Sequence, residues 1–169
     1  NGSSGELILA LVKKIPGNHH VLFSEIDGNF PNHHPDPVIK SNLETLIMEV
    51  KNKKADFGIA FDGDGDRLGV VTNEGKQIPG DLLTAFLSGE IIDNNKNPSI
   101  IFDIKSSYLA LESVKKRQGN PVLWKTGHSL IKAKLQETGG LLAGEMSGHI
   151  FFADRWFGFD DAPYASLRL

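Results

Sequence analysis

The spacing of apolar residues along the chain changes several times, and each change predicts a new element of secondary structure. Apolar residues recur at helical spacing over residues 7–12. A Pro-Gly-Asn step at 16–18 ends this helix before a short apolar run at 21–23, which predicts a strand. Three prolines within residues 27–37 then favour an extended loop, because each proline moves the residue before it away from helical angles.

The next segment predicts one helix and two strands. Ser41 and Glu44 form an S-x-x-E capping box, and the apolar residues that follow give the helix one face to pack on a sheet. Short apolar runs at 57–61 and 68–72 predict two strands. The loop between them, residues 62–67, is polar and contains two glycines.

Helices and strands alternate after the Pro79-Gly80 step, as they do in parallel α/β units. The predicted elements are a helix at 81–92, a strand at 99–104, a helix at 107–117, a strand at 122–124 and a helix at 129–136. Residues 141–152 predict two strands around a turn, and the last residues predict the start of another helix. Both ends of the chain fall within this pattern, so we expect a fragment.

Composition narrows the class of protein. Of the 169 residues, 40% are hydrophobic and 23% are charged, as in soluble globular proteins. No apolar stretch approaches the ~20 residues that a membrane span needs, so we expect no membrane partner. The absence of cysteine excludes disulfides, thiolate zinc sites and a cysteine nucleophile, and it favours a cytoplasmic location. A formal net charge of -3 is too balanced for sequence-independent nucleic-acid binding.

Three carboxylates are crowded into the loop at 62–67. Asp62, Asp64 and Asp66 alternate with glycines, which allow the backbone to curl. Like charges this close raise one another's pKa unless a cation offsets them, and hard ions such as Mg²⁺ prefer oxygen ligands. The loop therefore predicts a Mg²⁺ site that acts on a phosphoryl group. Such a group also needs further positive charge, for which Arg67 is the adjacent candidate.

Two other kinds of loop share some features with this segment. A calcium-binding EF-hand begins D-x-D-x-D-G and has a glutamate twelfth, whereas here Arg67 is sixth and Asn73 twelfth. The loop also follows a strand, whereas an EF-hand loop joins two helices. The second alternative is a solvated acidic hairpin turn, although a turn does not require this much charge.

Polar clusters follow three predicted strands of the second half of the chain. Lys105 follows the strand at 99–104, His128 follows the strand at 122–124, and the glycine-bounded turn at 144–149 follows the next strand. Ligands bind outside the carboxyl ends of strands in doubly wound sheets, so these clusters predict one cleft. Lys105 offers charge for a phosphate, and the N–H groups that open the helix after His128 offer an anion site. A helix N-cap or a surface position is the alternative role for His128.

The turn at 144–149 predicts sugar binding. Glu145 and Ser147 are separated by one residue, so their side chains could point the same way. A charged acceptor and a hydroxyl donor then suit two adjacent hydroxyls of a sugar. The alternative is an ordinary hairpin turn whose glutamate is solvated.

These motifs resemble those of the α-D-phosphohexomutase family, in its bacterial phosphomannomutase/phosphoglucomutase branch. The resemblance covers nearly the whole chain and rests on DGNFPNHHPDP at 27–37, FDGDGDR at 61–67, KTGHS at 125–129, GEMSGH at 144–149 and RWFGFDD at 155–161. It implies an α/β fold of two mixed-sheet domains, one second-domain-like over 1–78 and one third-domain-like over 79–169, each truncated at one end. The family's first and fourth domains, with the nucleophilic serine and the loop that clamps the distal phosphate, would lie outside this chain, so the piece alone is expected to be inactive.

The resemblance also implies an activity and a cofactor. Family members interconvert hexose 1-phosphate and 6-phosphate through a bisphosphorylated sugar and a phosphoserine. By resemblance, Asp62, Asp64 and Asp66 would hold Mg²⁺ against that phosphoserine, and Arg67 would steady the site as a catalytic residue. The implied substrates are mannose and glucose 1-phosphates and 6-phosphates.

Four residues receive substrate roles from the same resemblance. Lys105 and His128 would lie near the reacting groups, in catalysis or in substrate binding. Glu145 and Ser147 would bind the 3- and 4-hydroxyls of the sugar. Glucose and mannose differ only at carbon 2, so such a site should accept both.

Three other functions stay open at this point. A phosphatase-type metal hydrolase would use the same aspartates to activate water, although no water-activating base is visible beside the loop. A phosphoglucosamine mutase has a similar sugar-binding turn. A non-enzymatic calcium-binding module would prefer Ca²⁺ and bind no sugar phosphate.

Overall fold

The computed structural model describes residues 1–169. The helices are α1 (Gly5–Val12), α2 (Glu44–Lys53), α3 (Gly80–Asn94), α4 (Tyr108–Lys116), α5 (His128–Thr138) and α6 (Ala162–Ser166), with a short 3₁₀ helix at Lys40–Leu43. The strands are β1 (Phe57–Phe61), β2 (Leu68–Thr72), β3 (Gln77–Ile78), β4 (Ser99–Asp103), β5 (Asn120–Trp124), β6 (Leu142–Gly144) and β7 (Ile150–Phe152). None of the helices combines the length and the apolar character that crossing a membrane requires.

The strands form two sheets. The first is antiparallel in the order β1-β2-β3, with Phe57 opposite Thr72 and Phe61 opposite Leu68. The second has the order β5-β4-β6-β7, in which β4 pairs parallel to both β5 and β6 while β7 is antiparallel to β6. The predicted α/β fold with mixed strand directions is confirmed. The carboxyl ends of β4, β5 and β6 consequently meet at one edge of the second sheet.

A continuous apolar core joins the two sheets. The alternating side chains of β4 point to opposite faces, so Phe102 packs into the larger cluster and Ile101 into a smaller one beneath α5. The larger cluster also contains Val70 of β2 and Leu83 of α3. Helix α3 is buried over most of its length because it contacts both β2 and β6. This shared core fixes the loop after β1 relative to the loops of the second sheet.

The predicted strand at 21–23 is wrong. These residues belong to no strand, and Phe23 has a φ angle of 52°. A phenylalanine in the left-handed region interrupts an extended backbone, so the apolar run cannot continue a regular strand there. The sequence pattern could not reveal this, because a run of three apolar residues carries no information about its backbone angles.

The predicted capping box is also wrong. Ser41 lies inside the 3₁₀ helix, α2 begins only at Glu44, and the N-cap residue is Leu43 with no side-chain cap hydrogen bond. A serine within a helical turn does not face the free N–H groups of the helix start, and so it cannot cap them. The two-residue strand β3 was not predicted, since it is too short to produce a period.

An ion pair fixes the last helix to the second sheet. The guanidinium of Arg168 donates to both carboxylate oxygens of Asp154 at 3.0 Å, and both side chains are largely buried. The same guanidinium lies 4.3 Å from the ring centre of Phe152. Burial favours the protonated form of Asp154, but the hydrogen bonds and charge of Arg168 outweigh it and hold the pKa of that carboxyl below its usual value.

Replacing Asp154 with asparagine is expected to lower the free energy of unfolding by about 1.5–3 kcal/mol at pH 7, because a charged hydrogen-bonded pair is lost. The lowered pKa means that this contribution is complete above the unfolded value of about 3.9 and is lost as the pH falls through the folded value. Urea denaturation at pH 7, 5 and 3 should therefore show a difference in the free energy of unfolding between wild type and variant that is constant at pH 7 and 5 and shrinks at pH 3.

The control is Asp93→Asn, which removes an exposed carboxylate paired with Arg117 and should change the stability little. A difference that persists unchanged at pH 3 would contradict the assignment.

Candidate metal centre and sugar-binding loops

A single buried carboxylate organises the loop after β1. The Oδ1 atom of Asp62 accepts the N–H groups of Gly65 and Asp66 at 3.0 Å and of Arg67 at 3.1 Å. Gly65 has a φ angle of 82°, which glycine adopts without strain, so the backbone can curl around that oxygen. The curl brings ligand oxygens of Asp62, Asp64 and Asp66 within 4.8 Å of one another.

The charges of this loop are only partly compensated within the chain. Arg67 donates its Nε–H to Asp62 at 2.7 Å and also lies 3.3 Å from Asp36. Burial favours the neutral form of Asp62, but the hydrogen bonds from Arg67 outweigh it and lower the pKa. For Asp66, burial, the hydrogen bond to Asp62 and the neighbouring carboxylates raise the pKa to about 6, against an opposing effect of His149. A divalent cation would remove this repulsion, and three carboxylates are a donor set that Mg²⁺ accepts.

Asp64 gives the loop its open side. Asp62 is buried and Asp66 is partly buried, whereas Asp64 is exposed. A cation held by these three side chains would therefore have positions that solvent or a phosphoryl oxygen could fill. Open coordination positions of this kind are what a catalytic metal needs in order to act on a bound ligand.

A second cluster lies directly beside the first. The Nδ1 atom of His149 is 3.1 Å from Asp160 and 3.6 Å from Asp66, and it is buried without a hydrogen bond of good geometry. Asp160 also accepts from Lys132 at 3.0 Å, and the lysine keeps the pKa of this carboxyl below its usual value despite burial. Ligand atoms of Asp66, His149 and Asp160 also lie within 4.8 Å of one another, so Asp66 belongs to both clusters.

The second cluster exists because the two sheets touch at this point. The N–H of Leu68, at the start of β2, donates to the carbonyl of Gly148 at 2.9 Å. Gly148 has a φ angle of 95°, and a Cβ atom there would lie 2.8 Å from the carbonyl oxygen of Leu68. Only glycine permits this close approach, which places the 144–149 turn against the aspartate loop.

Glu145 is buried and connects two of the predicted substrate loops. It is 1% exposed, and its Oε1 accepts the N–H of Gly127 at 2.6 Å. The alternative of a solvated glutamate is therefore wrong. The bond also uses one of the N–H groups at the start of α5, so that group is not available to the anion that the sequence led us to expect there.

The other predicted substrate residues differ in their surroundings. His128 begins α5, stacks on His149 with ring centres 5.6 Å apart, and lies 3.2 Å from Asp160. Ser147 is half-buried in the turn, and Lys105 is exposed just beyond the end of β4. The structure thus brings His128 and the 144–149 turn beside the aspartate loop. The roles of these residues in binding and catalysis stay predictions.

Sequence reasoning missed His149 and Asp160 as members of the site. Both lie within segments that carried the resemblance, GEMSGH and RWFGFDD, but neither segment showed by itself that its polar residues would meet. Their contacts with Asp66 join parts of the chain that are distant in sequence, so only the fold brings them together.

Comparison with known proteins accounts for the whole chain. Residues 1–75 match the family profile described as phosphoglucomutase/phosphomannomutase, alpha/beta/alpha domain II, and residues 79–169 match the profile described as domain III. The chain is 51% identical to the phosphomannomutase/phosphoglucomutase of Pseudomonas aeruginosa, covering 100% of this chain and 36% of that protein. It is 48% identical to a phosphoglucomutase of Neisseria gonorrhoeae, covering 100% of this chain and 37% of that protein.

A solved structure supports the same assignment. The crystal structure of a phosphoglucomutase/phosphomannomutase family protein from Burkholderia thailandensis superposes with a TM-score of 0.95 at 50% identity, covering 99% of this chain and 36% of that one. The chain therefore spans a little more than a third of the length of these relatives. The resemblance and the fold class expected from the motifs are confirmed: this chain belongs to the phosphoglucomutase/phosphomannomutase family.

Proposed function

We propose that this chain is the central part of a Mg²⁺-dependent phosphomannomutase/phosphoglucomutase, which interconverts hexose 1-phosphate and 6-phosphate through a phosphoserine and a bisphosphorylated sugar. The observation that carries the proposal is the convergence of three carboxylates beside a turn that contains a buried glutamate. Membership of the family supports the reaction class. The first and fourth domains of the parent chain would supply the serine and the contacts to the distal phosphate, so the chain alone would not turn over substrate.

In this proposal the aspartate loop is the metal centre. Asp62, Asp64 and Asp66 would hold Mg²⁺, which when bound supplies a Lewis acid for a phosphoryl oxygen. Arg67 keeps Asp62 ionised through its 2.7 Å hydrogen bond, and the three backbone N–H groups hold that carboxylate in a fixed orientation. The Asp62 carboxylate is thus held in place before the cation binds, which is the part of the loop that is preorganised.

The loops of the second sheet would bind the sugar. Glu145 and Ser147 would contact adjacent hydroxyls, while Lys105 and His128 would lie near the phosphate and the reacting hydroxyl. The N–H of Gly127, which directly precedes His128, donates to the Glu145 carboxylate and so holds it beside the His128 loop. Contacts limited to the hydroxyls that glucose and mannose share would let the site accept both sugars.

One observation favours a second candidate, a metal-dependent phosphatase-type hydrolase. The sequence shows no base beside the aspartate loop, but the structure places the His149 imidazole 3.6 Å from Asp66 and 3.1 Å from Asp160. A histidine next to a metal centre can take a proton from an attacking water as readily as from a sugar hydroxyl. A hydrolase releases inorganic phosphate, whereas a mutase does not, so phosphate release distinguishes the two functions.

Calorimetric titration of the 169-residue chain tests the proposal. With Mg²⁺ present, we expect glucose 1-phosphate and mannose 1-phosphate to bind with affinities within about fivefold of each other, since binding contacts that both sugars share cannot discriminate strongly. Ribose 5-phosphate is the control and should bind more weakly. Steady release of inorganic phosphate from either hexose phosphate would favour the hydrolase. Strong preference for Ca²⁺ over Mg²⁺ without any sugar phosphate binding would indicate the calcium module instead.

A further inference from the structure

One buried carboxylate touches all three loops at the carboxyl edge of the second sheet. Asp103 is the last residue of β4, the strand that lies between β5 and β6, and it is 1% exposed. Its Oδ1 accepts from the Ser106 hydroxyl at 2.9 Å. Its Oδ2 accepts from the Thr126 hydroxyl and from the N–H of Met146, each at 3.4 Å.

Each of these partners is a neighbour of a predicted substrate residue. Ser106 follows Lys105, and Met146 lies between Glu145 and Ser147. Thr126 lies two positions before His128, in the loop whose Gly127 also binds Glu145. The three loops come from distant parts of the chain, and Asp103 is the side chain on which their hydrogen bonds converge.

The chemistry of the position explains why a carboxylate suits it. No Lys, Arg or His side chain forms an ion pair with Asp103, so burying its charge is costly and must be offset by hydrogen bonds. An ionised carboxylate only accepts, and its two oxygens can serve donors arriving from different directions. A hydroxyl or an apolar side chain at the end of β4 could not accept from three separate loops.

We propose that Asp103 is a positioning residue that holds the Lys105, His128 and Glu145–Ser147 loops in the arrangement that binds a sugar phosphate. The proposal deepens the proposed function and rests on it for the identity of the ligand. Asp103 does not itself touch substrate in this account. It acts by keeping three binding loops in fixed relation before the ligand arrives, which lowers the ordering cost of binding.

The chain offers a matched control in Asp81. This carboxylate is equally buried, at 1% exposure, and accepts the N–H groups of Leu82 at 2.9 Å and Ser107 at 2.7 Å. It therefore joins the starts of α3 and α4, and it bonds neither the His128 loop nor the 144–149 turn. Its removal should weaken the fold comparably but leave those two loops in place.

Three further variants separate positioning from general stability. Asp103→Ala removes all the bonds. Asp103→Asn can turn its carbonyl oxygen toward Thr126 and Met146 and its amide toward the Ser106 hydroxyl, which also accepts, so it should rescue most of the function. Thr126→Val removes one bond only and should give an intermediate effect.

Two readouts on the 169-residue chain test the proposal: amide hydrogen exchange and titration with glucose 1-phosphate in Mg²⁺. In Asp103→Ala we expect exchange to quicken in all three loops, at 104–107, 126–128 and 145–148, and affinity to fall about tenfold, because the loops must then be ordered when the ligand binds. Asp103→Asn should stay within about threefold of wild type, since its bonds can be remade. Asp81→Ala should not alter exchange at 126–128 or 145–148.

The possible results separate failure of the positioning role of Asp103 from failure of the proposed function. If the wild-type chain binds no hexose phosphate, the proposed ligand is wrong, while the exchange pattern still decides the role of Asp103. If Asp103→Ala does not fold, Thr126→Val takes its place and should quicken exchange in its own loop and at Met146. Faster exchange confined to residues 104–107, or an equal effect of Asp81→Ala on all three loops, would overturn the positioning role.

Discussion

Replacing Asp64 with asparagine is expected to weaken Mg²⁺ binding to the chain by more than about 100-fold, since losing even a partner outside the ligand shell typically costs 10–100-fold. The substitution removes one of three converging carboxylates, together with its negative charge, at the exposed position of the loop. Asp64 contributes no side-chain hydrogen bond to the loop, unlike Asp62, whose oxygens hold the backbone and Arg67. The variant should therefore fold with near wild-type stability, and isothermal titration with MgCl₂ measures the loss.

A control variant that removes one carboxylate elsewhere distinguishes the loss of a metal ligand from a general loss of negative charge. Glu74→Gln removes an exposed carboxylate at the turn between β2 and β3, where it pairs with Lys76. Mg²⁺ affinity should be almost unchanged in this variant, because Glu74 lies at the opposite end of β2 from the aspartate loop and salt screens exposed charges. Equal Mg²⁺ affinities for the Asp64 and Glu74 variants would show that the aspartate loop is not the site.

Replacing Glu145 with glutamine is expected to lower the affinity for glucose 1-phosphate and mannose 1-phosphate by about 10–100-fold, because a hydrogen bond to a charged acceptor is replaced by one to a neutral amide. The amide carbonyl can still accept from Gly127, which preserves the 2.6 Å contact and the start of α5. Calorimetric titration of both sugars is the measurement. The loss should be the same for both, since the hydroxyls concerned are shared.

Glu145→Ala shows which part of that loss is structural. Alanine removes the Gly127 contact as well, so this variant should also lose stability in urea, whereas the glutamine variant should not. If glutamine at this position bound both sugars as tightly as wild type, Glu145 would be a residue that only caps α5. Acceptance of both sugars would then not depend on this residue.

The aspartate loop was predictable because its contacts are local. Asp62 bonds to residues three to five positions ahead, so the alternation of Asp and Gly already contained the geometry. The parallel pairing of β4 with β5 and β6 was foreseeable for a similar reason, since alternating helices and strands favour it. Both features depend on short stretches of chain whose pattern is visible in the sequence.

The individual side-chain contacts between distant segments were not predictable. His149 reaches Asp66 and Asp160 only because Leu68 and Gly148 bond across the two sheets, and no residue pattern reveals that bond. The sequence predicted that the loops after β4, β5 and β6 share one cleft, but it did not reveal that Asp103 accepts hydrogen bonds from all three. The wrong capping box has the same origin, because a short 3₁₀ turn displaced the helix start away from Ser41.

The His149 cluster shows how little separates the two candidate reactions. An imidazole 3.6 Å from Asp66 and 3.1 Å from Asp160 suits proton transfer from a sugar hydroxyl or from water equally well. The two reactions differ in the group that would lie beside the metal centre with the ligand. A serine supplied by another domain would make the protein a mutase, whereas bulk water would make it a hydrolase.

The central claim is that the aspartate loop seats a small divalent cation. A crystal of the chain soaked in MnCl₂, a stand-in for Mg²⁺ that scatters anomalously, tests it directly. We expect one dominant anomalous peak, from an ion bound by carboxylate oxygens of Asp62, Asp64 and Asp66 at the ~2.1 Å typical of a small oxygen-ligated ion. The claim is contradicted if the peak lies elsewhere, or if the three side chains point apart into solvent with no ion between them.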